Sequence, residues 1–222
     1  MQAQRLAAHL VSREPRIDYI FASDLQRAAN TADEIRKAID TPGLEVVRVP
    51  ALRERDYGPW EGVKYGAMIE GVNSVGKPGA EVTADMTIRV KAFVDTLEAL
   101  GVAINWTGCV AVVAHGVILS ILSRALAARF PGGDMSQDTE KYITFRNTGY
   151  LEASIVRAPN SSPEAPAQMA ILTLNNATHL DGLQKTGGGI GSASFDAKQK
   201  SIDTYFKPSG ASPDTSGDGA AL

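Results

Sequence analysis

Residues 110–120 read Val-Ala-Val-Val-Ala-His-Gly-Val-Ile-Leu-Ser, and this stretch constrains the fold more than any other. Val110 to Ala114 is apolar without alternation, the pattern of a strand buried on both faces of a parallel sheet. Ile118, Ile121, Leu122, Ala125 and Leu126 then recur at spacings of three and four, the signature of a helix. His115 and Gly116 stand at the joint between the two. In open α/β sheets the carboxyl edge of the strands is where ligands bind, so His115 is a candidate site residue. A histidine that merely ends the strand is the competing reading.

The flanking chain repeats this alternation. Ala3, Leu6, Ala7 and Leu10 mark a first helix, which Pro15 ends, and Ile17 to Ala22 reads as a strand. Ser23 and Asp24 stand where caps belong, ahead of a helix whose stripe is Leu25, Ala28, Ala32, Ile35 and Ile39. Leu44 to Val49 is a further strand. Ala51 to Gly62 mixes charges, aromatics and turn formers with no period and reads as a loop, as does Gly71 to Ala84. Thr87 to Leu100 is an amphipathic helix with Val90, Phe93, Val94, Leu97 and Leu100 on its apolar side. After the organising strand and its helix, Ile143 to Phe145, Tyr150 to Val156 and Met169 to Leu174 read as closing strands. Short apolar strands alternating with helices imply an α/β fold: a three-layer α/β/α sandwich with a mostly parallel sheet.

Domain organisation follows from a shift in composition. Residues 1–183 carry the alternating pattern. Residues 184–222 are dominated by Gly, Ser, Ala, Asp and Thr, too poor in apolar surface to offset chain entropy, and are expected to be a disordered tail. The formal net charge of −3 argues against a broad basic face for nucleic acid. Cys109 is the single cysteine, which excludes an internal disulfide and a multi-cysteine metal site. No apolar run approaches the roughly 18 residues of a membrane span, and no signal-peptide pattern opens the chain. The expected compartment is intracellular: cytoplasmic, or nuclear.

Three segments converge on a family. Ser23-Asp24-Leu25-Gln26-Arg27-Ala28 followed by Thr31, the loop Leu52-Arg53-Glu54 with Gly58 and Trp60-Glu61-Gly62, and Val113-Ala114-His115-Gly116-Val117 resemble the histidine phosphatase superfamily, the phosphoglycerate-mutase-like proteins. Asn147-Thr148-Gly149 and the closing Asn175 to Leu180 also fit, so the resemblance covers roughly Gln2 to Leu180. It implies hydrolysis of a phosphomonoester through a phosphohistidine, on a phosphorylated small molecule or phosphoprotein, with no metal or other cofactor. The short Tyr65 to Ala80 segment leans towards phosphatase rather than mutase.

The residue chemistry agrees. A phosphoryl group in transfer spreads charge over several oxygens, and its site must supply fixed cations and donors. Arg27 offers a planar fork suited to phosphate. Ser23 and His115 stand at strand ends and can add donors, His115 also a full charge if protonated. Glu54 can protonate the leaving oxygen as general acid. Asp56 and Glu61 are rival carboxylates, between which and Glu54 the family pattern favours Glu54. The alternatives are a surface Arg27 and a solvated Glu54.

One part of the family pattern has no counterpart. The resemblance implies a central first strand ending in Arg-His-Gly, whose histidine is the nucleophile. The histidines here are His9, His115 and His179, none in such a tripeptide. The chain is therefore expected to lack that strand and to be inactive as it stands, either as a truncated enzyme or as a non-catalytic phosphate-binding or interaction protein. Within the tail, Gln199, Ile202, Tyr205 and Phe206 (residues 199–206) resemble the box by which replication and repair proteins bind the eukaryotic sliding clamp. That resemblance makes a clamp the expected macromolecular partner, with no direct contact to nucleic acid or membrane.

Overall fold

The computed structural model of the chain describes residues 1–62, 78–132, 143–158 and 165–183. The elements, in order, are α1 (Gln2–Val11), β1 (Tyr19–Ala22), α2 (Gln26–Ile39), β2 (Val46–Arg48), α3 (Thr83–Ala103), β3 (Val110–Val113), α4 (Gly116–Arg129), β4 (Tyr150–Val156) and β5 (Gln168–Asn176). Short 3₁₀ turns lie at Pro50–Leu52, Gly58–Trp60 and Thr178–Leu180. The three short strands form a parallel sheet in the order β2-β1-β3. β4 and β5 pair antiparallel as a separate ribbon.

The pleat divides the core into two. Ile20 and Ala22 point to one side of β1 and are buried with Leu6, Ala7, Ala32, Ile35 and Ile39 of α1 and α2. Phe21 points to the other side, where Met86, Val90, Phe93 and Val94 of α3 meet Ile118, Ile121 and Leu122 of α4. Ala153 and Ile155 of β4 and Met169 and Ile171 of β5 close this second core. The result is helices, sheet, helices: the α/β architecture expected from the alternation, because successive side chains of a strand face opposite layers.

Several local expectations are corrected. β3 is not buried on both faces; each of Val110 to Val113 is half-buried. It pairs with β1 along one edge, and among the described residues no strand covers the other. Ile143 to Phe145 is not a strand. The Ile143 amide bonds the Ser120 hydroxyl at 2.8 Å instead, so β-forming residues without a partner edge stay irregular. α3 begins four residues earlier than its periodicity predicts. Neither Ser23 nor Asp24 caps α2, whose N-cap position is Leu25 with no side-chain cap bond. The expected tail from residue 184, the clamp-like box at 199–206 and most of the Tyr65 to Ala80 segment lie outside the described residues.

Candidate functional site

β1 and β3 run side by side, so their carboxyl ends deliver Ser23 and His115 to the same edge. The Ser23 amide donates to the Val113 carbonyl at 2.9 Å, extending the pairing one residue past the strand. His115 then turns into α4 as its N-cap residue, with extended backbone. Both side chains are buried: Ser23 is fully covered and His115 is 7% exposed.

A hydrogen-bonded chain joins them to Arg27. Arg27 Nε donates to His115 Nδ1 at 2.8 Å, and His115 Nε2 lies 2.9 Å from Ser23 Oγ. A guanidinium has only donors, so Nδ1 must be unprotonated and the neutral ring carries its proton on Nε2, directed at Ser23 Oγ. Ser23 Oγ also accepts from the Leu25 amide at 3.2 Å, which leaves its own hydroxyl proton to donate. Burial first, then the Arg27 and Arg89 charges, push the pKa of His115 down to about 4. At neutral pH the ring is therefore a neutral donor and not the full positive charge considered from the sequence. The cation of the site is Arg27, which lies exposed in the first turn of α2.

The loop carboxylates separate by geometry. Asp56 accepts from the Gly58 amide at 2.7 Å, and Glu61 accepts from the Tyr57 amide at 3.0 Å; both close turns of their own loop. Glu54 reaches further. Its Oε2 accepts from the Val117 amide at 3.3 Å and its Oε1 from the Arg55 amide at 3.0 Å. Val117 belongs to the first turn of α4, whose leading amides have no intrahelical partner. Glu54 thus sits at the helix end that His115 caps. Gly58 is required in this loop: its φ is +51°, and a Cβ there would run into the Gly79 carbonyl.

Three further residues shape the site, two at open positions of the motif segments and one outside them. Asp24 forms a two-point ion pair with Arg53, at 2.7 Å and 2.5 Å; the Arg53 bond holds the Asp24 carboxyl below its usual pKa. Arg89 of α3 binds the loop backbone at the Ala51 and Arg53 carbonyls. The readable signal for Arg89 was its register, three residues after Met86 and four before Phe93, inside the apolar stripe.

The remaining motif residues lie in a different cluster. Asn175 takes the Arg146 amide on Oδ1 and donates to the Thr144 carbonyl, both at 2.8 Å. Gly149 is packed so tightly on Asn175 that a Cβ would collide. His179 Nε2 lies 2.9 Å from Thr148 Oγ1, and His9 Nε2 lies 2.9 Å from the Tyr150 hydroxyl. Asn147-Thr148-Gly149 and the closing His179 fasten the turn before β4 to the end of β5 and to α1, and none of these bonds runs to His115. Among the described residues, no group of three or more His, Cys, Asp or Glu side chains is placed to hold a metal ion, and no helix is long and apolar enough to cross a membrane.

The architecture has a counterpart among solved structures. A mycobacterial hydrolase of known structure superposes with a TM-score of 0.61 at 25% identity, covering 79% of this chain and 83% of its own. A probable phosphatase of Schizosaccharomyces pombe is 29% identical over 211 residues, covering 92% of this chain and 67% of that protein. A 2,3-bisphosphoglycerate-dependent phosphoglycerate mutase of Mesorhizobium japonicum is 33% identical over 138 residues, 56% of this chain and 65% of its own length. The aligned part of the chain thus spans about two thirds of either curated relative. A family model for the histidine phosphatase superfamily (branch 1) matches residues 1–138, more than half of the chain, and the chain belongs to that superfamily.

Proposed function

We propose that this chain binds the phosphoryl group of a phosphomonoester at the joint of β1, β3 and α4, as the phosphate-holding part of a phosphohistidine-type hydrolase. Arg27 supplies the fixed charge and Ser23 the neutral donor, its hydroxyl oriented by the His115 Nε2–H. Glu54 serves the leaving oxygen. The observation that carries this reading is the Arg27–His115–Ser23 chain at the strand ends, with Glu54 on the same helix terminus. A probable phosphatase and a hydrolase among the relatives support hydrolysis, and a phosphoglycerate mutase supports transfer between positions of one substrate; hydrolysis is the reaction proposed because it accords with the short Tyr65 to Ala80 segment.

The 222-residue chain itself is proposed to turn over little. A phosphohistidine route needs a nucleophile, and His115 has both ring nitrogens committed to Arg27 and Ser23 while His9 and His179 lie in the fastening cluster. Loss of a nucleophile costs several orders of magnitude in turnover. A strand ending in Arg-His-Gly beside the open edge of β3 would complete the site. The test pairs phosphate binding with hydrolysis of p-nitrophenyl phosphate. Binding that is lost in Arg27→Ala, with negligible hydrolysis, supports the reading. Efficient hydrolysis abolished by His115→Ala would make His115 the nucleophile and overturn it.

A second reading concerns the tail, in which Gln199, Ile202, Tyr205 and Phe206 form the clamp-type box. Ile202, Tyr205 and Phe206 at i, i+3 and i+4 share one side of a helical turn and can fill an apolar pocket. Calorimetry of the full chain with a eukaryotic sliding clamp tests it. Heat of binding lost in the Tyr205→Ala, Phe206→Ala double variant is expected; no heat from the unaltered chain ends the proposal.

A further inference from the structure

We infer that Arg89 is a positioning residue for the site: from the second turn of the chain's longest described helix it holds the backbone of the Glu54 loop, and through it the Glu54 carboxylate. The inference rests on the reading that Glu54 works at the bound phosphate.

Every N–H of the Arg89 guanidinium is used. Nε and one Nη2 proton fork onto Glu81, at 2.7 Å and 2.9 Å. Nη1 donates to the Ala51 carbonyl at 2.5 Å and the Arg53 carbonyl at 2.7 Å. The second Nη2 proton points to the Glu54 carbonyl at 3.4 Å. Five donors in a rigid plane meet three backbone carbonyls of the loop and one carboxylate, a match that lysine cannot copy with a single ammonium. Glu81 completes the clamp from its own side. Its amide donates to the Asp56 carbonyl at 2.7 Å and its carboxylate takes the Asp56 amide at 3.2 Å.

The clamp is anchored at both ends. Met86 and Val90, the neighbours of Arg89 on α3, are fully buried in the same core as Leu52 of the loop. The loop cannot move away from α3 without exposing Leu52 or breaking the fork. What this fixes is the point from which Glu54 reaches the Val117 and Arg55 amides. The Arg89 charge is also close enough to act on His115, so the residue stands within electrostatic reach of the phosphate site while touching none of the groups proposed to bind it.

Amide resonances test the inference without needing turnover. The Val117 and Arg55 amide signals are followed in the full chain, in Glu54→Ala, in Arg89→Lys and in the double variant. Arg89→Lys is expected to move both signals towards their Glu54→Ala positions, and to move neither further when Glu54 is already alanine. Unmoved signals in Arg89→Lys, or an equal movement with Glu54 absent, would overturn the inference and leave Arg89 a structural residue. Should Arg89→Lys unfold, Glu81→Gln weakens the same fork and is expected to shift the two signals in the same direction; no shift there overturns it equally. Titrating inorganic phosphate into the unaltered chain separates this from the functional reading: absent binding removes the phosphate site and leaves the amide result standing.

Discussion

Two histidine clusters of this molecule look alike in isolation and differ in their setting. His115 and His179 both lie where burial lowers the pKa, and both bond a hydroxyl side chain. His115 stands at the carboxyl end of a parallel strand, caps a 14-residue helix and takes a bond from an arginine. His179 stands in a 3₁₀ turn, in a triangle of tilted rings with His9 and Tyr150, whose centroids are 5.7 Å and 6.4 Å away. Thr148 gives its hydroxyl proton to the Asn147 carbonyl, so it receives the His179 Nε2–H. His179 Nδ1 is left buried and without a partner among the described residues. A depressed histidine pKa therefore does not mark a site by itself. What distinguishes His115 is convergence: strand end, helix terminus and fixed cation at one point.

The sharpest way to break this contrast is Arg27→Ala. A hydrogen bond to a charged group contributes about 1.5–3 kcal/mol, so phosphate affinity should fall about tenfold to a hundredfold, read by calorimetry. Unchanged affinity would remove the distinction between the clusters. The next effect is on stability against pH. Burial lowers the His115 pKa from 6.5 in the unfolded chain to about 4 in the folded one. Between those values the unfolded chain holds the extra proton, so stability is full above pH 6.5 and declines as pH falls towards 4. His179 shifts in the same direction and adds to the decline. Denaturant unfolding of His115→Asn should show a flatter profile over that window than the unaltered chain.

A smaller effect separates the fastening cluster. Tyr150→Phe removes the bond to His9 and should cost about 0.5–1.5 kcal/mol of stability, with phosphate affinity intact. A loss of phosphate affinity would place that cluster in the site. Smallest is Arg53→Ala. The Arg53–Asp24 pair is partly exposed, at 39% and 25%, and such pairs contribute about 0–1 kcal/mol. A modest drop in melting temperature is expected, and it should shrink at high salt.

The sequence made the joint of β3 and α4 legible because an apolar run, a histidine and a 3.6-residue period follow one another without interruption. It made Arg27 and Glu54 stand out because they fall in recognisable segments. It did not reveal Arg89, since a charged residue in a helix looks solvated until its register among buried neighbours is weighed. Nor did it separate Asn147 to Gly149 and His179 from the site, because motif residues that fasten turns and motif residues that hold ligands are equally conspicuous on a line. Ile143 to Phe145 failed as a strand for a related reason: β-forming side chains do not state whether an edge is available to pair with.

The most direct test of the central claim follows all three histidine side chains at once by nitrogen-15 resonance while inorganic phosphate is added to the chain. The His115 ring signals are expected to move and saturate while His9 and His179 stay fixed, and Arg27→Ala is expected to abolish the movement. A His115 ring that does not respond, or His9 and His179 signals that move with it to the same extent, would contradict the assignment of the phosphate site to the joint of β1, β3 and α4.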